Sequence, residues 1–219
     1  MALRLFLDSA DPQAWQQWLP TGLFHGVTTN PSLLRRADQA CSLSQLARLS
    51  QLALDHGIAE LHLQAWGADA AELLHCARSL AALAPGRIAV KLPVTRQGAA
   101  AARTLCDEGL PVTLTACYDA HQVLIAAALR AAYIAPYLGR ISDQGRDGVA
   151  EVIAMQRSLD GLGSTVRLLV ASLRQPQQLT HLSGAGLNTF TISPALAEAL
   201  FDCDATAAAS AQFERDARR

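Results

Sequence analysis

Short apolar runs alternate along this chain with longer segments in which leucine and alanine recur at intervals of three and four residues. A run of about four to eight apolar residues between turn residues is typical of a buried strand, whereas the longer spacing is typical of an amphipathic helix. The pattern predicts strands at residues 3–7, 24–29, 59–65, 87–94, 110–117, 133–138, 165–171 and 189–192.

Helices are predicted after each strand, and the turn residues support several of their ends. Asp11 is a suitable N-cap before Pro12, and Gly109 is expected to adopt a left-handed conformation where its helix ends. The segment from Gly139 to Gly148 is polar and glycine-rich, so we predict a loop there. The helices are expected at residues 14–19, 42–56, 68–83, 99–108, 121–131, 149–159, 176–182, 194–201 and 205–216, with further helical material beginning at Asn30-Pro31-Ser32.

Eight strands that alternate with helices predict a parallel sheet with right-handed crossovers. At 219 residues the pattern favours a closed (β/α)8 TIM barrel over an open doubly wound sheet. No GxGxxG or GxxxxGKS motif follows the first strand, which weakens the nucleotide-binding alternatives. We therefore predict a single α/β barrel domain over residues 1–219, with residues 204–219 as a C-terminal helical extension.

Composition and charge narrow the classes of partner. The formal net charge is only -1, so neither nucleic acid nor an anionic membrane surface is an expected partner. Five scattered cysteines fit a reducing compartment, and neither CxxC nor HxxxH spacing suggests a metal site. The first apolar run is too short for a signal peptide, and no transmembrane stretch follows. We expect a soluble cytoplasmic protein without a metal or other cofactor.

Lys91 is the only lysine among 18 Lys and Arg residues, and it lies in a predicted buried strand. Burial disfavours the ammonium form, and a neutral amine can attack a carbonyl carbon to form a Schiff base, which arginine cannot do. The alternative is a lysine at a strand end whose stem is packed and whose amine lies in water.

In a (β/α)8 barrel the active site is built at the C-terminal ends of the strands. One carboxylate, one amine, two arginines and several neutral hydrogen-bonding groups end the predicted strands, and this set suits carbonyl chemistry on a phosphorylated or polyhydroxylated small molecule. The residues are Asp8, Thr28, Thr29, Asn30, Gln64, Lys91, Thr115, Tyr137, Arg140, Ser172 and Arg174.

Each residue type indicates a role. Lys91 would be the nucleophile, and Asp8 would bind substrate hydroxyls and balance the charge of an iminium. Tyr137, or a water held by Gln64, Thr115 and Tyr137, would carry the proton that leaves a hydroxyl during cleavage. Charge-assisted hydrogen bonds to a phosphate would come from Arg140, Ser172 and Arg174.

Taken singly, these residues also have structural interpretations. Asp8 is placed to cap the helix near Pro12, and strand threonines are common in any sheet. Gln64 and Tyr137 are compatible with satisfied core polar groups, and the two arginines with solvated loop charges. The shared position at one face of the barrel is what favours a site.

With these residues assembled, the chain resembles the transaldolase family over nearly its whole length. The resemblance implies a metal-independent (β/α)8 enzyme of the class I aldolase type. It places the Schiff-base lysine at Lys91, the active-site aspartate at Asp8, the acid/base-associated threonine at Thr115, a site asparagine at Asn30, and phosphate contacts at Arg140, Ser172 and Arg174. The matching motifs are Leu5-Phe6-Leu7-Asp8-Ser9, Gly26-Val27-Thr28-Thr29-Asn30-Pro31-Ser32, Val90-Lys91-Leu92-Pro93-Val94-Thr95, Val112-Thr113-Leu114-Thr115, Ala135-Pro136-Tyr137-Leu138-Gly139-Arg140-Ile141 and Ala171-Ser172-Leu173-Arg174.

Two positions concern the subgroup within that family. Small fructose-6-phosphate aldolases of the family carry glutamine and tyrosine where Gln64 and Tyr137 stand, whereas transaldolases usually carry glutamate and phenylalanine. Leu138-Gly139-Arg140, however, is closer to the transaldolase form. We rank the aldolase first, the transaldolase of the pentose phosphate pathway second, and a non-catalytic sugar-phosphate-binding barrel third. Short members of the family are decamers, so a homo-oligomer is expected, with residues 205–216 packing on a neighbour or covering their own barrel.

Overall fold

A computed structural model of the chain describes residues 2–218. Strands and helices alternate through this range in the order that the hydrophobic pattern predicts. The strands are β1 (Arg4–Asp8), β2 (Gly26–Thr28), β3 (Glu60–Gln64), β4 (Ile88–Pro93), β5 (Val112–Cys117), β6 (Tyr133–Pro136), β7 (Arg167–Leu168) and β8 (Thr189–Ile192). The helices are α1 (Pro12–Trp18), α2 (Pro31–Arg36), α3 (Leu43–Asp55), α4 (Ala70–Ala81), α5 (Arg96–Asp107), α6 (Val123–Leu129), α7 (Leu138–Asp143), α8 (Gly148–Gly161), α9 (Pro176–Gly184), α10 (Pro194–Ala199) and α11 (Asp204–Ala217).

The strands form one parallel sheet that closes on itself. Its order is β7-β6-β5-β4-β3-β2-β1-β8, and neighbours in sequence are neighbours in space except where β8 joins β1. Just past β7, the Val170 N–H donates to the carbonyl oxygen of Thr189 at 3.0 Å, and Val170 accepts from the Thr191 N–H at 2.9 Å. These bonds connect the last two edges, so the predicted (β/α)8 barrel is confirmed.

Side-chain caps fix where many of the helices begin, as the sequence predicts for α1. Asp11 accepts from the Gln13 N–H at 2.9 Å, and Pro12 is the first residue of the helix. The end of α5 also follows its prediction, since Gly109 has a φ of 76°. Side chains at the other capped N-termini accept in the same way, and they are Asn30, Ser42, Asp69, Thr95, Asp147 and Ser193.

The prediction of a loop from Gly139 to Gly148 is wrong except for residues 144–147, which form the turn between two helices. The chain turns directly from β6 into the short helix α7, and Gly148 already begins α8. Leu138 and Ile141, three residues apart, are both fully buried, and this apolar pair anchors the helix to the barrel. Only Gly139 and Arg140 stand between them, and an apolar spacing of one turn is too short to reveal a helix in the sequence.

Polar side chains also fill the interior of the barrel below its mouth. The buried ring of His62 bonds to Glu60 at 2.5 Å through Nε2 and to Thr113 at 2.9 Å through Nδ1. Arg4 donates to the hydroxyl of Tyr133 beside this pair. Burial lowers the pKa of His62, and the neighbouring Glu60 opposes that shift. Through this network the buried polar side chains of the barrel interior have hydrogen-bond partners, as buried polar groups usually do.

The predicted C-terminal helix is present as α11, and it does not cover its own barrel. Every residue from Asp204 to Ala217 is exposed, and Phe213 is 71% exposed. Between residues 2 and 218, the structure contains no helix with the length and apolar character to cross a bilayer.

Candidate active site

A cavity of about 420 Å³ opens at the C-terminal ends of the strands. This volume lies within the usual range for small-molecule sites, roughly 300–1,000 Å³. The structure brings together in its wall nine of the eleven strand-end residues that the sequence predicts for the site, and Thr29 and Arg174 are the two that do not line it. These wall residues are Asp8, Thr28, Asn30, Gln64, Lys91, Thr115, Tyr137, Arg140 and Ser172.

Lys91 lies in the cavity wall on β4 with its side chain buried. The residue is 5% exposed, and its Nζ donates to the backbone carbonyl oxygen of Thr29 at 2.9 Å. Burial lowers the pKa of this amine, and the negative charge of Asp8 opposes the shift without reversing it. A lysine in this state holds more neutral amine near neutral pH than a solvated one does, and the neutral form is the nucleophile.

Asp8 ends β1 and faces a pair of threonine hydroxyls. Its Oδ1 accepts from the Thr28 hydroxyl at 2.6 Å, and that hydroxyl lies 2.5 Å from the hydroxyl of Thr191 on β8. Asp8 does not cap α1, because Asp11 does. The carboxylate is therefore held by neighbouring strands and points into the cavity.

Tyr137 and Thr115 form a second pair of side chains in the cavity wall. Their hydroxyls are 2.8 Å apart, and the backbone around them is irregular. Ala116 has a φ of 57°, and the register between β5 and β6 shifts beyond Leu114. Burial raises the pKa of Tyr137, so the phenol stays protonated at neutral pH. A protonated phenol next to a second hydroxyl can relay a proton in either direction.

The two amide side chains of the cavity are each partly used by the protein itself. Gln64 Nε2 donates to the carbonyl oxygens of Ala65 and Lys91, at 3.2 and 3.1 Å. Asn30 Oδ1 caps α2 by accepting from the Leu33 N–H at 3.0 Å. The groups left to face a ligand are the oxygen of Gln64 and the nitrogen of Asn30.

The predicted phosphate contacts do not all lie in the cavity wall. Arg140 and Ser172 do, whereas Arg174 forms a bidentate pair with Asp143, at 2.8 and 2.6 Å, outside the wall. Gly139 permits the close approach of these segments, since a side chain there would meet the Ser172 carbonyl oxygen at 2.4 Å. The short loop after β7 is thereby held against the start of α7.

Several further residues complete the wall without having been predicted as site residues, and Arg36 and Thr191 are among them. Arg36 follows Ser32 by one helical turn, but the sequence does not distinguish it from the adjacent Arg35. Thr191 is a strand threonine like many others, and no sequence signal distinguishes it. Cys117, two residues past Thr115, is fully buried in the core, where burial raises the pKa of its thiol to about 12. It acts as a packing residue.

The fold and the cavity define a (β/α)8-barrel protein with its polar site at the C-terminal ends of the strands, where barrel enzymes bind their substrates. The family model described as transaldolase/fructose-6-phosphate aldolase matches residues 5–219. The chain belongs to this family, and it is a transaldolase-type enzyme.

Several similar proteins share nearly the full length of the chain. A protein named probable transaldolase from Phenylobacterium zucineum is 33% identical over 98% of this chain and 96% of its own length. Another, from Rhodospirillum centenum, is 34% identical over 98% of this chain and 90% of its own. A third, from a Caulobacter species, is 33% identical over 98% of this chain and 96% of its own.

Solved structures with a similar fold include two mutants of flavocytochrome b2, one of them with pyruvate bound. Their TM-scores are 0.61 and 0.63 at 10% sequence identity. The matches cover 88% and 89% of this chain but only 56% and 57% of theirs. At this identity the likeness concerns the barrel fold alone.

Proposed function

We propose that the protein is a Schiff-base transaldolase that transfers a dihydroxyacetone unit between sugar phosphates. The observation that carries the proposal is the buried Lys91 amine in the wall of a polar cavity, in a chain that belongs to this family. The names of the relatives favour transfer over simple cleavage. This order reverses the one suggested by Gln64 and Tyr137 in the sequence.

The first half-reaction begins when the neutral amine of Lys91 attacks the C2 ketone of the donor ketose. Loss of water gives an iminium, whose positive charge draws the electrons of the C3–C4 bond. The C4 hydroxyl loses its proton to the Tyr137–Thr115 relay or to a water held there as that bond breaks. An aldehyde leaves, and an enamine remains on Lys91.

The second half-reaction decides between transfer and release. In a transaldolase the enamine carbon attacks an acceptor aldehyde, the aldehyde oxygen takes up a proton, and water then hydrolyses the new iminium. In an aldolase the same carbon is protonated instead, and hydrolysis releases free dihydroxyacetone. The Tyr137 hydroxyl is the observation that favours an aldolase as second candidate, since it supplies a proton donor beside the cavity.

The presence of Arg140 and Ser172 in the cavity wall supports the proposal that the substrate carries a phosphate, at the end that leaves as the aldehyde. The guanidinium and hydroxyl groups both donate to phosphate oxygens. Because the lysine itself supplies the electron sink, the proposed reaction needs neither a metal nor an organic cofactor. Five cysteines without disulfide bonds within residues 2–218 support the proposal that the protein works in the cytoplasm.

Product analysis should separate the two candidates. With fructose 6-phosphate alone we expect only traces of free dihydroxyacetone, because the enamine lacks an acceptor. Addition of erythrose 4-phosphate should give sedoheptulose 7-phosphate readily, measured by chromatography of the mixture. Rapid release of dihydroxyacetone without the acceptor would contradict the transaldolase and support the aldolase.

We also propose a homo-oligomer, with decamers expected from the family resemblance, in which α11 packs on another copy of the chain. The exposed ring of Phe213 on a helix that does not cover its own barrel supports this contact. Phe213→Glu should lower the particle mass in analytical ultracentrifugation. Ser210→Glu is the control, since it adds the same charge to the helix without removing an aromatic ring, and it should leave the particle mass unchanged. An unchanged mass for Phe213→Glu would count against this interface.

A further inference from the structure

Thr191 is connected to the Asp8 carboxylate through a third side chain, the hydroxyl of Thr28. Thr28 lies on β2 and Thr191 on β8, the two strands that flank β1 in the barrel. Both threonines are almost fully buried, at 1% and 4% exposed, and both line the cavity. In a closed barrel the inward side chains of alternate strands share a layer, so these two hydroxyls can meet although β1 separates their strands.

The direction of the two hydrogen bonds follows from the number of protons. Thr28 has one hydroxyl proton and two possible acceptors, Asp8 Oδ1 at 2.6 Å and the Thr191 oxygen at 2.5 Å. A carboxylate accepts hydrogen bonds and donates none, so the Thr28 hydroxyl donates to Asp8. Thr191 must therefore donate to Thr28, and the chain of hydrogen bonds runs from Thr191 through Thr28 to Asp8.

This chain of hydrogen bonds leaves the second oxygen of the carboxylate to a ligand. Within residues 2–218, no group donates a hydrogen bond to Asp8 Oδ2, whereas Oδ1 accepts from Thr28. The bond between the two hydroxyls polarises the Thr28 hydroxyl and strengthens its bond to Asp8. The orientation of the free oxygen thus depends on Thr191, a residue two hydrogen bonds away.

We propose that Thr191 is a positioning residue, which holds Asp8 Oδ2 toward a hydroxyl of the bound ketose. The inference rests on the proposed Schiff-base function, in which Asp8 binds that hydroxyl and balances the charge of the iminium on Lys91. Asp8 is close enough for its charge to oppose the effect of burial on the pKa of Lys91. A shift of the carboxylate therefore changes the electrostatic environment of the reacting nitrogen.

The short distance between the two hydroxyls explains why the donor on Thr191 matters. Oxygen atoms approach to 2.5 Å only when a proton lies between them, whereas a methyl group keeps about 3.5 Å from its neighbours. Thr191→Val replaces the hydroxyl by a methyl group, so the two side chains must separate by about 1 Å. Because Thr28 orients Asp8, we expect the carboxylate to lose its fixed position in this variant.

The test is borohydride trapping of dihydroxyacetone on Lys91 of the full-length protein. The readout is the half-saturation concentration for adduct formation, measured from the intact mass. Thr191→Val should raise this concentration by about tenfold, since one hydrogen bond of the network is lost. Thr191→Ser keeps the hydroxyl and should retain the value of the unmodified protein.

Thr189→Val is the matched control, because it is the same substitution two residues earlier on the same face of β8. Thr189 is also buried, but its hydroxyl bonds to Asn188 and Arg167 at the other end of the strand. This variant should leave the half-saturation concentration unchanged. If Thr191→Val does not fold, Thr191→Ala removes the same donor without placing a methyl group against Thr28, and it should give the same increase.

A double-mutant cycle separates positioning from a general effect on the fold. If Thr191 acts through the carboxylate, Thr191→Val should add almost nothing once Asp8→Ala has removed that carboxylate. Equal effects of Thr191→Val in both backgrounds would overturn the proposal. An increase that also occurs in Thr191→Ser would overturn it as well, since the hydroxyl is then not its cause.

The two proposals fail in different ways. If the unmodified protein gives no adduct, the Schiff-base function itself is wrong. If it gives an adduct on Lys91 and Thr191→Val traps dihydroxyacetone equally well, only the role of Thr191 is wrong.

Discussion

Replacement of Lys91 by methionine should abolish covalent trapping of a ketose and reduce turnover by more than about 10³-fold, since the nucleophile is lost outright. Methionine keeps the length and volume of the side chain, so the cavity should stay formed. Intact-protein mass after borohydride reduction measures the adduct, and the lack of a second lysine removes the commonest competing site. A substrate adduct of the same mass in the variant would contradict the assignment of Lys91.

The same substitution should change how stability depends on pH. Burial lowers the pKa of Lys91 in the folded protein below the value of the unfolded chain. Between the two pKa values the unfolded state binds more protons, so this residue makes the free energy of unfolding rise with pH in that window. Lys91→Met removes the contribution.

Denaturant unfolding of both proteins across that window measures the difference. The free energy of unfolding of the unmodified protein minus that of the variant should increase as the pH approaches the unfolded pKa of lysine. The carbonyl oxygen of Thr29 loses its donor in the variant, but this cost does not depend on pH. A difference that stays constant over the window would mean that the amine is not desolvated.

Replacement of Tyr137 by phenylalanine should lower transfer activity by about 10²-fold or more, the usual range for a group that moves a proton. The variant loses the hydroxyl that pairs with Thr115 while it keeps the ring. Release of free dihydroxyacetone should fall further than transfer, because release needs a second proton on the enamine carbon.

Tyr118→Phe is the matched control for this variant. The two rings are in contact, with centroids 5.6 Å apart, but Tyr118 does not lie in the cavity wall. Its substitution should leave both rates unchanged. Equal losses of transfer and release in Tyr137→Phe would count against a role of the phenol in protonating the enamine, and full activity would remove it from the proton path.

Much of the fold could be predicted because the strands are short apolar runs and the helices have strong start signals. Thr189–Ile192 matches its prediction at both ends, and Asp11 caps α1 as predicted. The seventh strand is shorter than predicted, because only Arg167 and Leu168 pair regularly while the residues beyond them form isolated bridges. The helix α7 was missed because its 6 residues, fewer than two turns, are too few for the periodicity to be visible.

The site could be predicted as a set because a parallel barrel collects the ends of its strands at one face. Lys91, Asp8 and Tyr137 are far apart in sequence, yet each ends or follows an apolar run. The position of Arg174 could not be predicted, since its bidentate partner Asp143 lies on the helix that the sequence left as a loop. Arg36 was missed because only the path of α2 decides which of two adjacent arginines faces the cavity.

The sequence by itself determined the alternation of strands and helices, the family, and the side chains that end the strands. Hydrophobic spacing and capping are local properties, and the ends of parallel strands coincide whatever the details of packing. Only the tertiary structure decided which polar groups remain free for a ligand. Whether an arginine faces a cavity or pairs with a carboxylate depends on residues that are distant in the chain, as with Arg174 and Asp143. Such long-range contacts produce no periodic pattern in the sequence.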